Sequence, residues 1–259
     1  MANTEPADSK TGSIYTGASG LVLPVRNKLA YPAEFQDKSR LHYYASLFSS
    51  IEINSSFYKL PMAATVKKWQ QSTPDGFRFT FKLWREITHN KELIFKQEDV
   101  MRFLEVVSEA GTKSGCLLIQ FPPKTTFNYE FQLEQLLIRI KEHPLSSQWK
   151  LALEFRHKSW YTESTYELAR VFDACIVIQD LPASATPFLP QEAGHIYIRF
   201  HGPNGGYRGS YTDDFLYEYS HYIKAWKEEG KEVYAYFNNT MGDAVNNLIS
   251  LNNFLNKEL

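Results

Sequence analysis

Six charged residues, Glu52, Lys82, Glu154, Arg156, Asp180 and Arg199, fall at the ends of short β-prone runs, with Asn54, Gln120, His201 and Asn238 at similar positions. Successive side chains of a strand point to opposite faces, so residues two apart share one. In 151–156 the large apolar residues Leu151, Leu153 and Phe155 take one face, while Ala152, Glu154 and Arg156 take the other. The same phase separates Ile51 and Ile53 from Glu52 and Asn54, Phe79 and Phe81 from Thr80 and Lys82, and Ile198 and Phe200 from Arg199 and His201. Three acids and three bases are thereby expected around one cavity. Glu52, Glu154, Asp180, Lys82 and His201 are the candidate catalytic groups, since carboxylate, amine and imidazole can each move a proton. The planar forks of Arg156 and Arg199 suit phosphate or carboxylate. The competing reading is an internal salt-bridge network, although buried ion pairs stabilise weakly.

Positioning such a set requires several strands. The β-prone runs are Ile14–Ser19, Ser50–Asn54, Phe77–Leu83, Cys116–Phe121, Lys150–Arg156, Cys175–Asp180, Ile196–Gly202 and Val233–Asn239. Helical patterns lie between most of them, at 39–48, 98–110, 129–142, 164–172, 213–229 and 244–255. Eight alternating units in about 250 residues suit an α/β fold, a (β/α)8 TIM barrel, whose active sites lie at the C-terminal ends of the strands. An open doubly wound sheet is the alternative. The segment 181–195, with Pro182, Pro187 and Pro190, is expected to lack a full crossover helix. Residues 1–12 read as a flexible tail and 13–259 as one domain.

Composition narrows the classes. The chain has 259 residues, 43% hydrophobic and 22% charged, with a net charge of -1. That balance speaks against a whole-surface footprint for nucleic acid or an anionic membrane, and no run is long and apolar enough for a membrane span. The two cysteines, Cys116 and Cys175, head apolar runs and are expected to be buried thiols, which suits a cytoplasmic protein. Composition leaves the oligomeric state open.

The strand-end residues sit in longer stretches: 52–61 (EINSSFYKLP), Trp69, Thr73-Pro74, Lys82, 87–89 (ITH), 120–123 (QFPP), 154–157 (EFRH) with Ser159-Trp160, 199–202 (RFHG) and 236–239 (YFNN). From about Ile14 to the last helix, these resemble, in order, the signature of the YecE-like family, domain of unknown function 72. The resemblance implies a TIM barrel and no established activity. Leu21 stands where the family usually has Trp.

A small anionic ligand is the expected partner. Phosphate in barrels is often held after strands seven and eight. Here those loops read 202–209 (GPNGGYRG) and 238–242 (NNTMG), the second just ahead of a helix N-terminus. Arg156, Arg199 and backbone N–H groups around Asn239 are expected to hold the anion. Asn54, Tyr58, Gln120, Trp160, Tyr207 and Asn238 complete the expected binding set. The reaction class, if there is one, is a metal-independent hydrolysis or elimination. No zinc-ligand spacing is present, and neither metal nor cofactor is expected. The large glycosidase clan carries carboxylates at the ends of strands four and seven, where this chain has Gln120 and His201. The contrasting reading is a nucleic-acid-binding or endonuclease IV-like barrel acting on phosphodiesters, with Phe57, Tyr58, Trp84, Trp160 and Tyr207 stacking bases.

Overall fold

The structure, a computed structural model, describes residues 11–257. Strands β1 (Ile14–Ala18), β2 (Ser50–Ile53), β3 (Arg78–Lys82), β4 (Ser114–Gln120), β5 (Lys150–Glu154), β6 (Ala174–Ile176), β7 (Ile178–Gln179), β8 (His195–Phe200) and β9 (Glu232–Phe237) cover every β-prone run. All pairings are parallel, in the orders β2-β3-β4-β5-β6 and β7-β8-β9-β1. β6 and β7 are two pieces of the sixth run, split at Val177.

This is the (β/α)8 architecture expected of the sequence, and its two seams have local causes. Between β1 and β2 the Tyr44 hydroxyl is inserted: it accepts from the Ala18 N–H at 2.7 Å and donates to the Ser50 carbonyl at 3.0 Å. Direct pairing resumes at Ser19 and Glu52, where the Gly20 N–H donates to the Glu52 carbonyl at 2.8 Å. Gly17 belongs here, because a Cβ would stand 2.1 Å from the Ser50 carbonyl oxygen. At β6 the Gln191 side chain takes the place of a neighbouring strand. Its Oε1 accepts from the Ile176 N–H at 2.7 Å and its Nε2 donates to the Ile176 carbonyl at 2.8 Å.

The expected helices appear as α1 (Arg40–Leu47), α5 (Gln97–Val107), α6 (Glu130–Lys141), α7 (Glu163–Val171), α8 (Asp213–Glu228) and α9 (Ala244–Asn256). Ser39, Thr162 and Thr212 cap α1, α7 and α8 by accepting from backbone N–H groups. Three further helices, α2 (Ser55–Tyr58), α3 (Ala63–Gln71) and α4 (Arg85–Thr88), lie in intervals without a strong apolar period. No helix occurs between Gln179 and His195, as the prolines of that segment imply.

The strand phase is as the alternation requires. Ile51, Ile53, Phe79, Phe81, Leu151, Leu153, Ile198 and Phe200 join the larger cluster beneath the helices. Cys116, Leu118, Ala152, Cys175, Val177, Tyr197, Tyr234 and Tyr236 form a smaller cluster inside the barrel. Both cysteines are free and buried. Of the expected tail, residues 1–10 lie outside the described residues. Gly12 departs from that expectation: its N–H donates to the Lys227 carbonyl at 2.8 Å, and a Cβ would stand 1.9 Å from the Lys231 carbonyl oxygen.

Candidate functional site at the barrel mouth

The inward phase delivers Glu52 from β2, Glu154 from β5 and Arg199 from β8 to one place, all within 1% of complete burial. Arg199 donates from Nε (3.0 Å) and Nη2 (2.7 Å) to the two oxygens of Glu52, and from Nη1 (2.5 Å) to Glu154. Glu52 also accepts from Ser19 Oγ at 2.6 Å and Tyr197 Oη at 2.5 Å. Burial alone would raise the carboxyl of Glu52. The charge and hydrogen bonds of Arg199, with those of Ser19 and Tyr197, hold it below its ordinary value instead. Glu154 is likewise kept ionised against its burial by Arg156 and Arg199, with a smaller contribution from Lys82.

Every nitrogen of the Arg199 guanidinium is therefore engaged, which corrects the expectation that Arg199 grips an anion. It is an internal strut. Arg156 is different. Its Nη2 pairs with Glu154 and donates to His201 Nε2 at 3.0 Å. Its side chain is nine-tenths buried, yet Nε has no hydrogen-bond partner and Nη1 makes none among the described residues.

His201 Nε2 also lies 3.3 Å from Arg199 Nη1. Two guanidinium donors fix that nitrogen as an acceptor, so the proton resides on Nδ1, facing Asp180 Oδ1 at 3.4 Å. Burial lowers the imidazole, and Asp180 only partly counters that. His201 is thus a neutral side chain whose lone pair is already committed. Asp180 is committed too, accepting from the His201 N–H at 2.8 Å and from the Tyr211 hydroxyl.

Lys82 closes β3. Ser56 Oγ lies 2.7 Å from both the Ile53 and the Lys82 carbonyls, tying α2 to the end of β3. That places the Phe57 ring beneath the ammonium, Nζ lying 4.1 Å from the ring centroid. Among the described residues Nζ has neither a hydrogen bond nor an ion pair, and the side chain is half-buried. Burial, with Arg199 and Arg156 nearby, lowers its pKa to about 8 against the pull of Glu154 and Glu52.

A cavity of about 400 Å³ opens beside Arg156, lined by Gln120, Arg156, Leu181, Ser184, Asn204 and Tyr207 among others. Tyr207, at a φ of 62°, sets its ring 5.7 Å from that of His201. Gly202 allows the loop to fold back: its φ is 103°, and a Cβ would stand 2.1 Å from the Arg208 carbonyl oxygen. A larger hollow, about 800 Å³, lies at the other end of the barrel, and among the described residues its lining has Lys227 as the one charged residue.

The remaining expected binding residues divide. Gln120 lines the mouth and Tyr58 is exposed above it. Asn54 has a buried Oδ1 without a partner. Asn238 is half-buried, and its N–H is used by the Phe200 carbonyl at 2.7 Å. Asn239 is fully buried and joins two loops by donating to the Gly209 carbonyl and Asn247 Oδ1, both at 3.0 Å. The amides of Met241, Gly242 and Asp243 are consumed by the carbonyls of Tyr207, Asn239 and Gly209, so this loop serves to hold its neighbour. Trp160 does not reach the mouth. It is fully buried, stacked on Phe155 at 4.7 Å, with its indole N–H donating to the Thr125 carbonyl at 2.7 Å.

Sequence reasoning passed over Ser19, Ser56, Phe57 as a lysine platform, Tyr197 and Tyr211. Tyr197 carried a signal, being two residues before Arg199 on the same face. Tyr211 carried none. Among the described residues no three metal-ligating side chains converge, and no helix is long and apolar enough to cross a membrane.

The family model for the protein of unknown function DUF72 matches residues 15–259. UPF0759 protein YunF of Bacillus subtilis is 26% identical over 249 residues, covering 84% of this chain and 86% of that protein. UPF0759 protein YecE of Escherichia coli K12 is 29% identical over 127 residues, or 49% of this chain and 45% of YecE. Among solved structures, a DUF72 family protein from Thermotoga maritima superposes with a TM-score of 0.72 at 25% identity, covering 95% of this chain and all (100%) of that one. One from Enterococcus faecalis gives 0.77 at 22% identity, over 95% and 96%. SacUVDE gives 0.57 at 8% identity, over 93% and 97%, a likeness of fold alone.

Proposed function

The chain belongs to the DUF72 family, and from that premise we propose that its barrel mouth binds a small molecule bearing a phosphate or carboxylate, seated on Arg156. One observation carries this reading: a guanidinium nine-tenths buried at the edge of a cavity, with Nε and Nη1 unused among the described residues. A buried cationic donor without a partner is costly, and an anion relieves that cost. Glu52, Glu154 and Asp180 balance Arg199, Arg156 and Lys82, and the Asp180 carboxylate is turned toward Tyr211 and the His201 backbone N–H, so it leaves the unused face of Arg156 unopposed. Tyr207 and Gln120 offer an apolar wall and an amide for the rest of the ligand.

The chemistry this set supports needs no metal. Glu52 and Glu154 are held ionised by their cations and are weak bases. His201 has no free lone pair. Lys82, at about 8, is the group of the cluster able to give or take a proton near neutral pH. The function is therefore anion recognition by Arg156 beside an amine that can act as acid, base or nucleophile.

Calorimetry with phosphate, sulfate and a sugar phosphate, at low ionic strength, tests the reading. Charge-assisted hydrogen bonds contribute about 1.5–3 kcal/mol each, so Arg156→Gln is expected to weaken binding by roughly 10- to 100-fold. Equal heats from both proteins would refute it. Binding of an oligonucleotide with a steep salt dependence, and none of the small anions, would favour the nucleic-acid reading instead.

A further inference from the structure

We propose that Lys82 is a carbonyl-capturing amine, which forms an imine with an aldehyde or ketone whose phosphate or carboxylate is seated on Arg156. The substrate class rests on the anion reading above; the capture itself does not. Three geometric facts support it. Lys82 Nζ makes no hydrogen bond or ion pair among the described residues, so its nitrogen is not already spent. Its backbone is pinned through Ser56 Oγ to the carbonyls of Ile53 and Lys82 itself, and Phe57 lies under Nζ at 4.1 Å. Its half-buried side chain stands at the C-terminal end of β3, where barrel chemistry takes place, and β3 pairs with β4, whose last residue Gln120 lines the cavity that Arg156 borders.

An amine must lose its proton to attack a carbonyl, and desolvation next to other cations is a general way to arrange that. The charged groups around Lys82 come from several elements: Glu52 on β2, Glu154 and Arg156 at the end of β5, Arg199 on β8, and His89 after α4. Burial and the two arginines favour the free amine, while the two carboxylates and the Phe57 face favour the ammonium. The balance puts the pKa at about 8. At pH 7.5 about a quarter of such an amine is unprotonated, against roughly one part in a thousand for an ordinary lysine, a gain of roughly 200-fold. His89, lowered to about 4 by burial and by Lys82, is neutral at that pH and adds no further positive charge.

The step balances without a further reactant. Nζ forms a bond to the carbonyl carbon, and the carbonyl oxygen takes a proton from solvent. Nζ releases a proton, the C–O bond breaks, and a second solvent proton lets the oxygen leave as water. The protonated imine that remains is an electron sink one bond from the substrate α-carbon, which suits cleavage or elimination next to the former carbonyl.

The test is reductive trapping on the intact wild-type chain. Cyanoborohydride is added with glyoxylate, an anionic aldehyde, or with acetaldehyde, a neutral one, and the labelled lysines are mapped by peptide mass. The proposal expects Lys82 to be labelled at least tenfold faster than any other lysine at pH 7.5, with half-maximal rate near pH 8. Loss of this label in Lys82→Met, at unchanged labelling elsewhere, confirms the assignment, and the wild-type map stands even where that variant folds poorly. Glyoxylate preferred over acetaldehyde in wild type but not in Arg156→Gln supports the full proposal. Fast labelling of Lys82 by both aldehydes alike keeps the amine and overturns its anionic substrate. Labelling spread evenly over surface lysines, with phosphate still bound in calorimetry, overturns the imine and leaves the anion reading intact.

Discussion

Replacing Arg199 by Met keeps the apolar stem of the side chain and removes the guanidinium, leaving Glu52 with no cation within ion-pair distance among the described residues. Glu154 retains Arg156. Glu52 is fully buried, and only the Ser19 and Tyr197 hydroxyls remain to satisfy it. Breaking a buried pair from one side costs about 3–5 kcal/mol, because the stranded charge remains. For a chain of this size that corresponds to a fall in Tm of roughly 6–20 °C. Adding Glu52→Gln removes the stranded charge and is expected to recover about half of the loss or more. The pH dependence has a definite sign. In the wild type the Glu52 carboxyl is depressed, so its contribution is complete above the unfolded value and is lost as pH falls through the folded one. In Arg199→Met, burial without a cation raises that carboxyl, and the variant loses stability as pH rises. Its deficit should therefore be larger at pH 7.5 than at pH 5.5 in paired thermal melts. A deficit under about 1 kcal/mol at pH 7.5, or one that grows on acidification, would refute the description of Arg199 as a saturated strut.

Other outcomes follow from the same geometry. Trp160→Phe removes the donor to the Thr125 carbonyl and part of a stacked core, so it should cost about 1–3 kcal/mol in stability while leaving anion affinity unchanged in calorimetry. Gln191→Leu strips the Ile176 backbone of both partners, and hydrogen exchange at the Ile176 amide should accelerate at least tenfold. Glu154 is held well below its ordinary value, so Glu154→Gln should flatten the acid limb of the stability curve below about pH 4.5.

The barrel was legible because its strands obey a period of two, and that phase also sorted the charges to one cavity. Pairing was harder to read. Arg199 meets Glu52 across 147 positions of sequence and Glu154 across 45, and nothing local says that one guanidinium will satisfy both carboxylates. Trp160 lies next to a strand end in sequence, but its side chain turns back into the core beside Phe121 and Phe155. The glycine-rich stretches read as phosphate loops, whereas the Met241 and Asp243 amides are spent on carbonyls of the other loop, and those of Gly205, Tyr207 and Gly242 on carbonyls of their own. The split of the sixth strand depends on a glutamine side chain 15 residues away, which no periodicity reports. Helix α3 was overlooked because Met62 supplies no capping side chain and Val66 is its single buried residue.

The central claim is an anion on Arg156, and it can be seen directly. Crystals soaked in selenate, a phosphate-shaped anion with an anomalous scatterer, should show a selenium peak within about 4 Å of the Arg156 guanidinium, the reach of an Arg–oxyanion hydrogen bond plus one Se–O bond. The peak should vanish in Arg156→Gln. A mouth that stays free of selenium at saturating selenate, or a peak that persists in the variant, would contradict the account.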